Sequence, residues 1–266
     1  MTGPDVSQAT DELFSIQGRR TVITGGTAGI GLGVARHFVS AGAKVVITGR
    51  RERGPERAES VGASFVSMDV RDDVSVERGL ESAVRLLGGL DVLILNAGVA
   101  RTCGPLERLD LDAFRDVFEV NVFGVMRGLR YGLPHMEPGA VALVTSSPGG
   151  RQGLAAPGMV AYSASKAAID MVVQSAGLEL ASRGIRVSGV IPGFIRSEIS
   201  HDSEVDVDWL ARLTASGQAR DPAAMGPVFH FLASEAGAML QGSLVAADDG
   251  CTAGLSSSVL SRLVGP

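Results

Sequence analysis

Seven short apolar runs, separated by longer stretches of helical period, constrain this 266-residue chain more than any other feature. The runs are Thr21–Thr24, Val45–Thr48, Ser64–Val66, Val92–Leu95, Val141–Val144, Val187–Ile191 and Leu244–Ala246. They are continuously apolar instead of alternating, which marks strands covered on both faces, as in parallel sheets. Helical segments fall between them at roughly 30–41, 73–87, 110–131, 160–182 and 221–233. Strand and helix in strict succession demand βαβ crossovers, so the expected architecture is α/β. It is a single-domain, doubly wound parallel sheet of about seven strands with helices on both faces.

Residues 18–253 read as that one domain, including a loop at about 194–217 placed to cover a substrate. Residues 1–17 are polar and aperiodic and read as a tail, as do residues 254–266. The formal net charge of -5 argues against nucleic acid, whose phosphates need a concentrated basic surface. The one dense basic patch is Arg50, Arg51, Arg53 and Arg57, read either as a solvated helix start or as an anion site. No apolar span reaches membrane length and no signal-peptide pattern opens the chain, so a cytoplasmic location is expected, with no membrane partner. Cys103 and Cys251 are the only cysteines and fit no metal-ligand spacing; no metal is expected.

In a doubly wound sheet, ligands bind beyond the carboxyl ends of the strands. After the first run the chain reads Thr24-Gly25-Gly26-Thr27-Ala28-Gly29-Ile30-Gly31 and enters a helix. Gly25, Gly29 and Gly31 form G-x-x-x-G-x-G. A turn without side chains lets backbone approach a pyrophosphate, and the helix N-terminus offers free N–H groups at its positive end. Tight strand-to-helix turns also need glycine for geometry alone. With this turn the expected fold is Rossmann-type. The second run ends at Gly49, where a carboxylate would grip the ribose of NAD, and Arg50 and Arg51 follow. Arginine pairs with phosphate through charge and a planar fork of donors, so NADP(H) is favoured, with NAD(H) as the alternative.

Tyr162-Ser163-Ala164-Ser165-Lys166 opens the helical segment at 160–182 in a chain with only two tyrosines and two lysines. Positions i and i+4 share a helix face, so the ammonium is expected near the phenol, lowering its pKa for proton transfer. The fifth run ends Thr145-Ser146-Ser147-Pro148-Gly149, where a serine either donates to a substrate oxygen or caps its own backbone. Asn96-Ala97-Gly98 ends the fourth run with small residues beside which a cofactor can lie. Asn121, inside the segment 110–131, is a mediocre helix former, which fits either a buried functional bond or a solvent-facing side chain.

From about Gly18 to Ala253 the chain resembles the classical short-chain dehydrogenase/reductase family, through Thr24–Gly31, Asp69-Val70, Asn96-Ala97-Gly98, Asn121, Ser147, Tyr162/Lys166 and Pro192-Gly193 in the family's order. The resemblance implies that Ser147 positions the substrate oxygen and Tyr162 is the general acid/base. Lys166 would bind the nicotinamide ribose and depress the Tyr162 pKa, and Asn121 would hold a water of a proton relay. The turn residues Gly25, Thr27, Gly29, Ile30 and Gly31, with Gly49, Arg50 and Arg51, would hold the phosphates and ribose. Asp69 and Val70 would meet adenine. Pro192, Gly193, Ile195 and Ser197 would flank the nicotinamide. A homotetramer or dimer is also implied, through the helices around 110–131 and 160–182. The chain departs from the family where Ser147 stands 15 residues before Tyr162, two more than usual, which leaves Ser146 as a rival, and where Asp249 replaces a glycine.

The expected activity is NAD(P)-dependent hydride transfer between the nicotinamide and a ketone or secondary alcohol. Leu154, Met159 and Phe194, with Ser147 and Tyr162, are expected to line a mainly apolar substrate site. A non-catalytic nucleotide-binding regulator and a same-fold lyase or epimerase are the competing readings. The intact Tyr/Lys pair weighs against the regulator.

Overall fold

The computed structural model describes residues 6–50, 52–151, 154–196, 206–254 and 260–261. Its strands are β1 (Arg20–Thr24), β2 (Lys44–Gly49), β3 (Ser64–Ser67), β4 (Leu90–Leu95), β5 (Met136–Thr145), β6 (Arg186–Pro192) and β7 (Leu244–Ala247). They form one sheet in the order β3-β2-β1-β4-β5-β6-β7, and every adjacent pair is parallel. All seven apolar runs are therefore strands. The order reverses between β1 and β4, the switch point at which such sheets bind ligands.

The helices are α1 (Val6–Phe14), α2 (Gly29–Ser40), α3 (Gly54–Glu59), α4 (Asp73–Leu87), α5 (Leu111–Phe118), α6 (Gly124–Gly132), α7 (Val160–Leu180), α8 (Val207–Leu210) and α9 (Gly226–Ala233). Successive strand residues serve opposite faces. Ile23, Ile47, Ile94 and Leu143 point to one core, with Val34 and Phe38 of α2 and Phe229 of α9. Their neighbours Val22, Val46, Leu93 and Ala142 point to the other, with Leu80 of α4, Leu129 of α6 and Ile169 of α7. Each fully buried side chain of this size stabilises the fold by about 1.5–3 kcal/mol, which is why the runs read apolar at every position. Local signals set the helix ends. Asp72 caps α4 by accepting from the Ser75 amide, and Gly88 ends that helix in the left-handed region at φ 78°.

Two departures from the sequence reading matter. Within the segment read as a tail, α1 forms and docks: the rings of Phe14 and Phe231 lie 6.2 Å apart, and His230 Nε2 donates to the Phe14 carbonyl at 2.7 Å. The helix expected across 110–131 is instead α5, a π-helical turn at Glu119–Phe123, and α6. Asn121 sits in that turn. Further along, Asp249, which replaces the family's glycine, is the one non-glycine residue with positive φ (53°) among the described residues. Its carboxylate compensates by accepting from the Ser216 amide and hydroxyl.

Candidate active site

The carboxyl ends of the strands open into a cleft of about 640 Å³, lined by most of the residues singled out from sequence. At one end are Gly25, Thr27, Gly29 and Ile30 of the β1–α2 turn, Gly49 and Arg50 after β2, and Asp69 and Val70 after β3. Asn96, Ala97 and Gly98 follow β4 in the middle. At the other end are Ser147, Leu154, Met159, Tyr162, Lys166, Pro192, Gly193, Phe194 and Ile195. Arg51 and Ser197 lie outside the described residues. Gly31 and Asn121 do not line the cleft; both act beneath its surface.

The β1–α2 turn is built by close approach. A Cβ on Gly31 would lie 2.4 Å from the Gly25 carbonyl oxygen and 2.6 Å from Asn96 Nδ2, and one on Gly25 would lie 2.8 Å from Ala97 Cα. Asn96 Nδ2 donates to the Thr24 and Gly25 carbonyls, tying the β4 end to the turn. Gly25 and Gly29 also hold positive φ, 63° and 50°, which side chains disfavour. The N-cap of α2 is Ala28, which has no side chain to cap the first-turn amides. Those amides border the cleft unpaired at the positive end of the helix, which fits the pyrophosphate of a dinucleotide.

Next to that seat, Gly49 approaches Thr27 so closely that a Cβ would lie 3.0 Å from Thr27 Oγ1. No carboxylate occupies this strand end, and Arg50 lines the cleft just beyond it. Asp69 is held by Arg71 through a 2.7 Å ion pair, so its carboxyl lies below the usual range. Residues Arg53 and Glu56 of the same basic patch pair with each other at 2.9 Å at the start of α3, matching the solvated reading for that part of the patch.

At the end of the cleft that holds Tyr162, Ser147 and Ser146 have different partners. Ser147 Oγ accepts from the Gly149 amide at 3.2 Å, which caps its loop, and its hydroxyl is near enough to Tyr162 to draw that phenol's pKa down. Ser146 Oγ instead donates to Asp170 Oδ1 at 2.5 Å. Asn121 is buried. Its Oδ1 accepts from the Val99 amide at 2.8 Å, and Nδ2 donates to the Val99 carbonyl and to Ser165 Oγ, both at 3.0 Å. These bonds fix the segment after β4 against α7. They also account for the π-helical turn, a distortion frequent at functional sites.

The electrostatics of the Tyr/Lys pair differ from the sequence expectation. Burial pushes the Tyr162 phenol up, and the Ser147 hydrogen bond draws it only part of the way back. Burial likewise pushes the Lys166 ammonium down to about 8, against the Asp170 carboxylate, which raises it. The i, i+4 spacing does bring both residues into the cleft. Yet Lys166 Nζ donates to the Thr145 carbonyl at 2.9 Å and stands 5.9 Å from the centre of the tyrosine ring. The ammonium therefore lies over the ring, and burial is the largest influence on the phenol. Asp170 and Arg151, which pair with each other behind Ser146, were missed from sequence. The signal was present, because Asp170 follows Lys166 by four residues.

The family model described as enoyl-(acyl carrier protein) reductase matches residues 25–252. The chain belongs to the short-chain dehydrogenase/reductase family. It is an NAD(P)-dependent oxidoreductase. A relative from Lentilactobacillus kefiri, an NADP-dependent (R)-specific alcohol dehydrogenase, is 33% identical over 92% of this chain and 99% of its own length. A short-chain dehydrogenase from Burkholderia cenocepacia J2315, solved in complex with NADP, superposes with a TM-score of 0.80 at 29% identity, covering 89% of this chain and 99% of that one. A 3-ketoacyl-(acyl-carrier-protein) reductase from Brucella melitensis, complexed with NADH, gives a TM-score of 0.83 at 28% identity over 90% of this chain and 100% of its own. Among the described residues no helix is long and apolar enough to cross a membrane.

Proposed function

We propose that this short-chain dehydrogenase/reductase reduces a neutral, largely apolar ketone, or oxidises the matching secondary alcohol, with Tyr162 as general acid/base. The observation that carries this reading is one cleft that brings Ser147, Tyr162 and Lys166 together with the uncapped start of α2. In reduction, the substrate carbon takes the hydride that the bound dinucleotide supplies and the substrate oxygen takes the Tyr162 proton; oxidation reverses both transfers. Ser147 Oγ shares the negative charge that develops on that oxygen. Lys166 supports the phenol from one helical turn along, and Asn121 holds the β4 end and α7 in register behind the pair. Val99, Ala100, Leu154, Met159, Phe194 and Leu210 surround the space beside Tyr162 and present no charge, which supports an uncharged substrate.

NADP(H) is the preferred cofactor in this reading, with NAD(H) second. Support comes from Gly49 in place of a carboxylate, from Arg50 beside it, and from the NADP dependence of the Lentilactobacillus kefiri relative. The adenine would lie against Asp69 and Val70, and the nicotinamide against Pro192, Gly193 and Ile195. A cytoplasmic homotetramer or dimer completes the reading. Exposed Phe123, Met126, Met171 and Leu178 on the helices expected at the interface support the assembly.

The test is NADPH oxidation against a panel of aliphatic, cyclic and aromatic ketones, in wild type and Tyr162→Phe. Proton transfer by a positioned group contributes about 10²–10⁴-fold, so the variant is expected to lose turnover by that factor while its NADPH Kd stays essentially unchanged. Near-normal turnover in Tyr162→Phe overturns the assignment. Tight NADPH binding by wild type without oxidation across the panel favours a non-catalytic binder.

A further inference from the structure

One buried charged cluster at the catalytic end has no part in the proton transfer above. Asp170 follows Lys166 by four residues on α7, so the two share a helix face. It is 7% exposed, and its oxygens are divided between two partners. Oδ1 accepts from the Ser146 hydroxyl at 2.5 Å, and Oδ2 lies 3.2 Å from Nε of Arg151. The loop carrying Arg151 is seated directly on the helix: a Cβ on Gly150 would lie 2.7 Å from the Ala167 amide nitrogen and 2.8 Å from the Lys166 carbonyl carbon. A carboxylate out of water is unfavourable unless paired and hydrogen-bonded, so this arrangement calls for a role.

We propose that Asp170 is a positioning residue for the catalytic pair: the counter-charge that keeps Lys166 an ammonium inside the site, held by Ser146 and Arg151. This rests on the part given to Lys166 and Tyr162 in the function proposed above. Around Lys166, α7 presents Asp170 and Tyr162, and the 148–151 loop presents Arg151. The end of β5 presents the Thr145 carbonyl, the segment after β4 the Gly98 backbone, and the π-helical turn the Asn121 amide, none of which titrates. Among these groups Asp170 is the one carboxylate; burial draws its own pKa up, and it opposes the burial that drives the ammonium down. The cluster also links two walls. Ser146 adjoins Ser147, and Arg151 starts the loop leading to Leu154, so one carboxylate fixes the serine strand end and the substrate loop to the lysine helix.

The chain has two lysines, so in a Lys44→Arg background Lys166 is the only one. Carbon-13 labelling at lysine Cε then lets NMR read the Lys166 titration midpoint without any substrate. With Asp170→Asn the midpoint is expected to fall by about 1 pH unit, the lower end of what an opposite charge nearby contributes. Asp170→Glu keeps the charge and restores the midpoint. Arg151→Met keeps the carboxylate, removes a nearby cation, and does not lower the midpoint. Asp170→Ser, smaller and able to bond the Ser146 hydroxyl, serves if the Asn variant fails to fold, and it lowers the midpoint in the same way. A midpoint unmoved in both charge-removing variants overturns the proposal, as does an equal fall in Asp170→Glu. Because turnover is not needed, a protein that reduces no ketone overturns only the function reading, and an unmoved midpoint overturns only this one.

Discussion

Replacing Gly31 with alanine tests whether the β1–α2 turn is both a packing knot and the dinucleotide seat. The added methyl would sit 2.4 Å from the Gly25 carbonyl oxygen, 2.6 Å from Asn96 Nδ2 and 3.0 Å from the Gly25 carbonyl carbon. Carbon–oxygen contacts settle near about 3.3 Å, so the turn must retreat by roughly 0.9 Å. The yielding atoms belong to backbone and to an amide already bonded to two carbonyls, not to the free end of a flexible side chain. Overpacking of this kind costs about 1–3 kcal/mol. For a chain of this size each kcal/mol lowers Tm by about 2–4 °C, so a drop of roughly 4–8 °C is expected near the middle of the range. The displaced amides at the start of α2 no longer converge, and each 1.4 kcal/mol of lost binding is about tenfold in Kd. NADPH affinity is expected to fall at least about tenfold by that conversion. Circular-dichroism melts and NADPH fluorescence titration read the two effects separately. Gly18→Ala is the control: it has φ 75° with nothing within 4 Å of an added Cβ, so it should lower Tm through backbone strain and leave Kd unchanged. A Gly31→Ala protein with wild-type Tm refutes the packing argument. A lowered Tm with wild-type Kd refutes the assignment of the turn as the cofactor seat.

Two further outcomes follow from other parts of the molecule. Arg50→Ala is expected to weaken NADPH by roughly 10- to 100-fold, the worth of a charge-assisted hydrogen bond, and to leave NADH nearly unchanged; equal losses for both cofactors in paired titrations would remove Arg50 from the 2′-phosphate. His37 Nε2 donates at 3.0 Å to His230 Nδ1, because His230 must carry its own proton on Nε2 to reach the Phe14 carbonyl. Burial first, and His230 second, hold the His37 pKa below its ordinary value. The unfolded chain then binds more protons than the folded one once pH falls below about 6.5. The stabilisation is therefore complete above that pH and is lost as pH falls towards the folded value. His37→Gln, which keeps a donor and cannot titrate, should flatten the fall in Tm between pH 7 and pH 5; parallel slopes in the two proteins would count against the pair.

The sheet was readable because each strand had to be apolar on both faces, and that requirement is local to the strand. The two cores show why, with Val22 and Ile23 serving opposite sides. The same local logic places Gly88 at the end of α4. Long-range requirements left no such trace. Nothing between residues 6 and 14 announces that the Phe14 carbonyl will meet His230, a contact 216 residues away in sequence. The π-helical turn at Asn121 answers to Val99 and Ser165, 22 and 44 residues distant. Ser146 and Ser147 are indistinguishable as adjacent letters, and they part only when Asp170 takes the hydroxyl of one and the Gly149 amide binds that of the other.

The catalytic pair shows how far spacing can carry an electrostatic argument. Four residues along a helix guarantee a shared face, and both side chains do reach the cleft. Spacing fixes only the sign of the interaction between ammonium and phenol, whereas the phenol's acidity depends on the balance of that attraction against desolvation. Here Nζ turns to the Thr145 carbonyl, and burial acts on both groups at once, raising the phenol and lowering the ammonium. Both shifts favour the uncharged forms. Tyr162 is therefore held as the neutral phenol, the form the proposed reduction starts from, and in the proposal above a third group keeps Lys166 charged. The carboxylate one further turn along α7, held by Ser146 and Arg151, is the group that the proposal assigns to that part.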